Sequence, residues 1–241
     1  MRTTLPALAL VLAAACGDSS SPGNPAELKP DEPYAPEVDA AALSVDVSNE
    51  LLPAPVGASW TYEAVSGDGT EHIEVTVTSE TRDIASGATA RVIRDTAWFD
   101  GEMIEDTRDW FAQDADGNVW YLGEDTAEYE GGEVTSTEGS WEWGADDALP
   151  GVVMLADPSI GDTYRQEYLV GEAEDYAEVV SLDESVTVPA GTFEHCIKTH
   201  ESSIVETTLD EFKYYCRGVG LVLVEEPGAD IREELIEYTG L

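Results

Sequence analysis

Cys16, Cys196 and Cys216 are the first residues to weigh for chemistry. Cys196 and Cys216 both fall in β-prone runs, and in an oxidising compartment such a pair is expected to form a disulfide. Closing a loop of that length contributes about 3 kcal/mol in the chain-entropy picture, provided the two strands are adjacent. A reactive thiol or a metal ligand is the competing use, and it needs His or basic neighbours that lower the thiol pKa. His195, His200 and Arg217 are near in sequence. Strand parity, however, sets His195 on the opposite face from Cys196 and puts His200 roughly 13 Å away along the same strand. The disulfide is therefore the preferred reading.

Oxygen-bearing residues at Asp114, Asp116 and Asn118 suggest the start of a calcium loop. An EF-hand needs glycine at the sixth place and a bidentate Glu at the twelfth. Here Gly117 is fourth and Asp125 is twelfth, so the pattern fails. Asp, Gly and Asn are also what a tight hairpin turn requires. These three remain weak metal candidates. Clusters such as Glu124-Asp125, Asp146-Asp147 and Glu172, Glu174 and Asp175 leave low-affinity calcium open, and no other cofactor is expected.

Aromatic residues give a third possible site: Trp110, Trp120, Tyr121, Trp141, Trp143, Tyr164 and Tyr168, with Arg165 among few cations. An aromatic concavity with one Arg would hold a small amphiphile or a stacked glycan. The same residues would equally fill a β-core. For catalysis there is no nucleophile elbow, zinc-protease helix, phosphate loop or dinucleotide fingerprint. A carboxylate-pair hydrolase is recognised by geometry, which spacing does not reveal. The expectation is a protein that is not an enzyme.

These residues must be placed by strands. Asp109 to Tyr121 is two aromatic-rich runs around a Gly-containing turn, the signature of a β-hairpin. Similar units recur at Gly67-Asp68-Gly69, Phe99-Asp100-Gly101 and Gly131-Gly132. Ile73, Val75 and Val77 alternate with polar residues, as in a strand with one wet face. Strands are expected at 88–99, 102–113, 118–129, 133–143, 162–170 and 175–182. A strand, turn and strand follow around Pro189-Ala190-Gly191, then strands at 207–216, 221–225 and 233–238. Residues 144–161, with Pro150 and Pro158, read as a long irregular piece, a plug or a short helix. The expected fold is all-β: an antiparallel meander of about ten or more strands forming a barrel, half-barrel or sandwich.

The N-terminus supplies an address. Met1-Arg2 and the apolar run Leu5 to Ala15 read as a signal peptide over residues 1–15, too short to span a bilayer permanently. The sequence Leu12-Ala13-Ala14-Ala15-Cys16 resembles the bacterial lipoprotein lipobox, with Ala13 where that family usually has Leu. The resemblance implies cleavage before Cys16, lipidation (palmitate included) of that cysteine, and anchorage in a bilayer. Gly17, and not Asp, follows the cysteine, which by the enteric-lipoprotein rule favours the outer membrane over the inner. The periplasmic or surface face is open. Residues 16–50 then read as a Pro/Ser/Asp-rich disordered tether, in which the apolar piece Ala40 to Val47 is either a helical fragment or an edge strand. Residues 51–241 make a single β domain.

The chain carries 51 Asp and Glu against 11 Lys and Arg, a formal charge of −40, while 42% hydrophobic content argues against wholesale disorder. Clustered cations are what nucleic acid requires, so that partner is excluded. Cations and basic partners are what the chain can attract. Finally, Asp109 to Tyr121, Glu138 to Glu142, Gly161 to Tyr168 and Tyr214 to Val222 resemble a group of uncharacterised exported bacterial β-rich proteins. That resemblance implies an exported β domain and no activity. The function expected is a non-enzymatic envelope lipoprotein whose β domain binds a small ligand or an envelope protein. A calcium-stabilised surface module is the alternative, and a hydrolase stands behind both.

Overall fold

Alternating apolar and polar residues set the chain into strands from Ser59 onward. The computed structural model describes residues 24–28, 33–228 and 231–241. The expected signal peptide over 1–15 and the expected lipidation site Cys16 lie outside the described residues. The first half forms β1 (Ser59–Val65), β2 (Thr70–Asp83), β3 (Thr89–Phe99), β4 (Glu102–Gln113) and β5 (Val119–Glu130). Three short pieces follow: β6 (Glu133–Ser136), β7 (Trp141–Glu142) and β8 (Gly151–Met154). The second half forms β9 (Thr163–Arg165), β10 (Asp175–Val188), β11 (Gly191–Ser203), β12 (Asp210–Cys216), β13 (Gly220–Glu226) and β14 (Ile231–Thr239).

All pairings are antiparallel, in one open 14-stranded sheet of order β6-β5-β4-β3-β2-β1-β14-β13-β12-β11-β10-β9, with β7 and β8 each pairing to β5 off this path. Sequence neighbours are sheet neighbours almost throughout, as in the expected meander. The exception is central: β1 pairs with β14, Trp60 opposite Tyr238, which joins the two halves of the chain. The fold is all-β, and its curl about an interior fits a half-barrel.

Three expectations need correction. Residues 144–161 are not purely irregular, because Gly151–Met154 pairs with β5 as β8. Its sequence is apolar on both faces, and both faces are covered: Val152 joins one core and Met154 the other. The strand expected over 162–170 is cut to three residues, since the amides of Gln166 and Glu167 both donate to the Asp175 carbonyl and the chain leaves the ladder. The strand expected over 133–143 divides into β6 and β7 around a turn where Gly139 has φ 91°.

The segment expected as a free tether over 16–50 is in part packed against the domain, over 24–28 and 33–50. The Leu28 amide donates to the Thr163 carbonyl and Ala26 accepts from the Arg165 amide, so this segment caps the free edge of β9. Tyr34 donates to the Pro150 carbonyl at 2.7 Å. Ala26 is fully buried, and Tyr34, Val38 and Leu43 pack against the same core. Prolines forbid a regular ladder here, yet these apolar side chains offer enough area to hold the segment down. Ala40–Ala42 is a turn of 3-10 helix capped by Asp39, and Ser44 then bridges to Gln113, so both readings of that piece hold in part.

Strand parity divides the core in two. On β3, Ile93 and Ala97 belong to one cluster, Ala90 and Val92 to the other. On β4 and β5, Trp110, Ala112, Trp120 and Leu122 join the second cluster, covered by the N-terminal segment. A bulge between β4 and β5 sets Leu122 and Gly123 opposite Trp110. Gly123 has φ 132°, and a Cβ there would lie 2.2 Å from the Trp141 carbonyl oxygen, so glycine is what lets β7 cross at this point. Cys196 and Cys216 sit on neighbouring strands β11 and β12 and are joined as a disulfide in the first cluster.

Candidate functional site: an acid-lined interior cavity

The inner face of the curled sheet encloses a cavity of about 290 Å³. Trp60 and Tyr62 of β1, Asp95 of β3, Asp109 and Phe111 of β4, and Tyr121 of β5 line one side. Glu167, Asp175 of β10, Glu201 of β11, and Lys213 and Tyr215 of β12 line the other. Residues from both halves of the sheet thus face one space. The volume stands at the lower end of ligand pockets, which begin near about 300 Å³. The walls are held firmly: Trp60 Nε1 donates to the Val219 carbonyl at 2.7 Å and the Tyr62 hydroxyl to the Leu221 carbonyl at 3.0 Å.

Lys213 is the single cation of the lining and is already engaged. Its Nζ lies 3.0 Å from Glu201 and 3.4 Å from Glu211. Glu201 also accepts from Gln166 Nε2 at 3.0 Å, the Thr199 hydroxyl at 2.8 Å and the Tyr215 hydroxyl at 3.3 Å. Burial alone would raise the Glu201 pKa, but the Lys213 charge and these donors overcome it and hold the carboxyl below its ordinary value. Burial would likewise lower Lys213, and the charges of Glu201 and Glu211 instead hold it well above the ordinary value.

Other carboxyls lie in the opposite regime. Burial pushes Asp109 up to about 6 against a hydrogen bond from Tyr121. Burial, then the Asp109 charge, pushes Glu124 up to about 8. Asp95 and Glu167 are raised well above their ordinary values, by burial first and by neighbouring carboxylates second. The Tyr121 hydroxyl stands between two of these groups, 2.5 Å from Asp109 and 2.8 Å from Glu124. One hydroxyl has one proton to give. With Glu124 the weaker acid, the consistent arrangement is Glu124 protonated and donating to the Tyr121 oxygen, which donates to ionised Asp109. Phe111 and Trp141 fix the Tyr121 ring edge-on, with centroids 5.0 and 5.4 Å away.

Of the aromatic and Arg candidates, the structure brings only Tyr121 to this cavity. Trp110, Trp120 and Tyr164 lie in the second core, with Trp143 packed against it, because parity turns Trp110 and Trp120 away from the face of Phe111 and Tyr121. Trp141 backs Tyr121 from a third, small cluster. Arg165 and Tyr168 lie with Tyr34 in a separate surface groove, the guanidinium 5.4 Å from the Tyr168 ring. The residues missed were Asp95, Asp109, Glu167, Glu201 and Lys213. A signal existed for two of them, since Asp95 and Lys213 each share strand parity with buried apolar or aromatic neighbours, Ile93 and Ala97 or Tyr215.

The turn at Asp114 is built for backbone reasons. Asp114 Oδ1 accepts from the amides of Asp116, Gly117 and Asn118, and Oδ2 from Asn118 Nδ2 and Trp120 Nε1. Asn118 Oδ1 accepts from the Ala156 amide, so the side-chain oxygens of both Asp114 and Asn118 hold the chain around the turn. Among the described residues, no group of three or more His, Cys, Asp or Glu is placed to hold a metal.

No protein-family model matches the chain, and no curated protein matches it. Two solved structures are similar to it. One is provisionally described as an exported protein with a YmcC-like fold from Bacteroides fragilis, 18% identical, covering 78% of this chain and 98% of its own, TM-score 0.43. The other is provisionally described as a lipoprotein from Parabacteroides distasonis, 14% identical, covering 79% and 99%, TM-score 0.38.

Proposed function

We propose that this chain is a non-enzymatic envelope lipoprotein, anchored through Cys16 in the outer membrane, whose curled sheet binds a small ligand. The observation that supports the binding role is the interior cavity, lined by both halves of the sheet and combining aromatic walls with convergent charged groups. The signal-peptide run and Cys16 support the address. The test is a titration of tryptophan fluorescence with lipids, glycans and cell-wall fragments, for which Trp60 in the cavity wall is a local reporter. A saturable change is expected, and a flat response across all three classes refutes the binding role.

One observation favours a second reading. Asp109 and Glu124 are carboxyls bridged by the Tyr121 hydroxyl, both with pKa values raised by burial and Glu124 the more so, and pairs of carboxyls held in unlike environments serve as acid and base in hydrolases. Turnover of aryl glycosides or esters that is lost in Asp109→Asn would establish it. No turnover leaves the binding protein.

A further inference from the structure

We infer that the cavity recognises an organic cation, an ammonium group carried on an apolar body. This rests on the ligand-binding role and names the ligand's chemistry. The lining holds the carboxyls of Asp95, Asp109, Glu167, Asp175 and Glu201 against one ammonium, Lys213. Lys213 is committed to Glu201 and Glu211 and cannot also neutralise the rest.

Asp95 and Glu167 are the decisive residues. Among the described residues no hydrogen bond or ion pair reaches either carboxyl; what acts on them is burial and the charge of other groups, chiefly acids. Asp109 adds repulsion to both. A half-buried carboxyl that the protein gives no donor keeps its proton, or is partnered from the cavity by solvent or, better, by a positive charge. The protein supplies donors to Glu201 four times over and to Asp95 and Glu167 not at all, although all three line the same space. A ligand cation is the partner that arrangement lacks.

The rest of the wall fits such a ligand. Trp60, Tyr62, Phe111 and Tyr215 present aromatic surface, which attracts a cation through the ring quadrupole as well as by contact. Val75, Ile93 and Leu221 offer area for an apolar body. A bare metal ion is the poorer match, given the absence of a ligand cluster among the described residues and the apolar walls.

The test is calorimetric titration of the full-length protein in non-ionic detergent with three probes of one shape: phenethylamine, phenethyl alcohol and 3-phenylpropionate. At about pH 7.5 the amine is expected to bind at least about tenfold tighter than the alcohol, with the propionate weakest. Because the amine meets carboxyls that hold protons, its binding is expected to release protons, read by repeating the titration in a buffer of different ionisation enthalpy. Asp95→Asn and Glu167→Gln should each lower the amine affinity towards that of the alcohol and leave alcohol binding unchanged. Both remove a half-buried acid that no protein donor partners, so neither is expected to unfold the sheet, and either alone suffices for the test. Equal affinity for amine and alcohol, or an amine preference that survives in both variants, overturns the cation assignment while leaving the small-ligand role standing. No binding by any of the three overturns both.

Discussion

Replacing Glu124 by Gln tests the electrostatic logic of the interior. Glu124 titrates at about 8 in the folded protein, against an ordinary value of 4.5, because burial and the Asp109 charge disfavour its ionised form. The groups that face it are Tyr121 and Thr126 of its own strand, Asp109 and Glu105 of the neighbouring β4, and Glu167 across the interior. A carboxyl whose folded pKa is raised contributes stability that is fully present below its unfolded pKa and lost as pH rises through the folded one. Each pH unit in that window is worth about 1.4 kcal/mol, so raising the pH from about 6 to about 8 removes about 2 kcal/mol through Glu124. At about 2–4 °C per kcal/mol for a domain of this size, the wild-type Tm should fall by about 4–8 °C from this group, beyond any general charge effect. A Gln amide donates to the Tyr121 oxygen as the protonated carboxyl does and does not titrate. Calorimetric Tm values at about pH 6 and about pH 8, at fixed ionic strength, should therefore show Glu124→Gln already above wild type at the lower pH, because the unfolded carboxyl ionises from about 4.5, and further above it at the higher pH. Parallel Tm–pH curves, or a variant that loses most at high pH, would refute the assignment of the proton to Glu124.

Three further outcomes are expected. Asp114→Ala strips five donors of their acceptor and should cost about 2–4 kcal/mol, seen as a lowered urea midpoint, with the same midpoint in calcium and in chelator. Reducing the Cys196–Cys216 bridge, which links residues 20 apart, should cost about 3 kcal/mol, measured as the Tm of a Cys196→Ala, Cys216→Ala double variant against the oxidised protein. Lys213→Met leaves Glu201, 4% exposed at its side chain, without its countercharge and should cost about 3–5 kcal/mol; adding Glu201→Gln should recover much of that loss.

The strands were legible where one side of the sheet is wet. Ile73, Val75 and Val77 alternate with polar residues, and β4 was placed at Glu102–Gln113 from pattern alone. Legibility failed where a segment is covered on both faces, as at Val152-Val153-Met154, since such a run carries no period. It failed for Tyr34 to Val47 because proline-rich composition reads as free chain while isolated apolar residues do the packing. The cavity was hidden for a third reason. Its acids are scattered over β3, β4, β10, β11 and the segment after β9, and only the curl of the sheet brings them together. Tryptophans drew attention as the largest aromatic residues, yet parity assigned most of them to the covered face.

The central claim is that the interior cavity holds a ligand in the cell. Native mass spectra of the full-length protein, released from its own membrane in gentle detergent, test it most directly when wild type is compared with Leu221→Trp, which fills the cavity. The account predicts a retained small molecule, beyond the mass of protein and lipid, in wild type and its loss in the variant. A wild type free of added mass, or an adduct equally present in both, would contradict it.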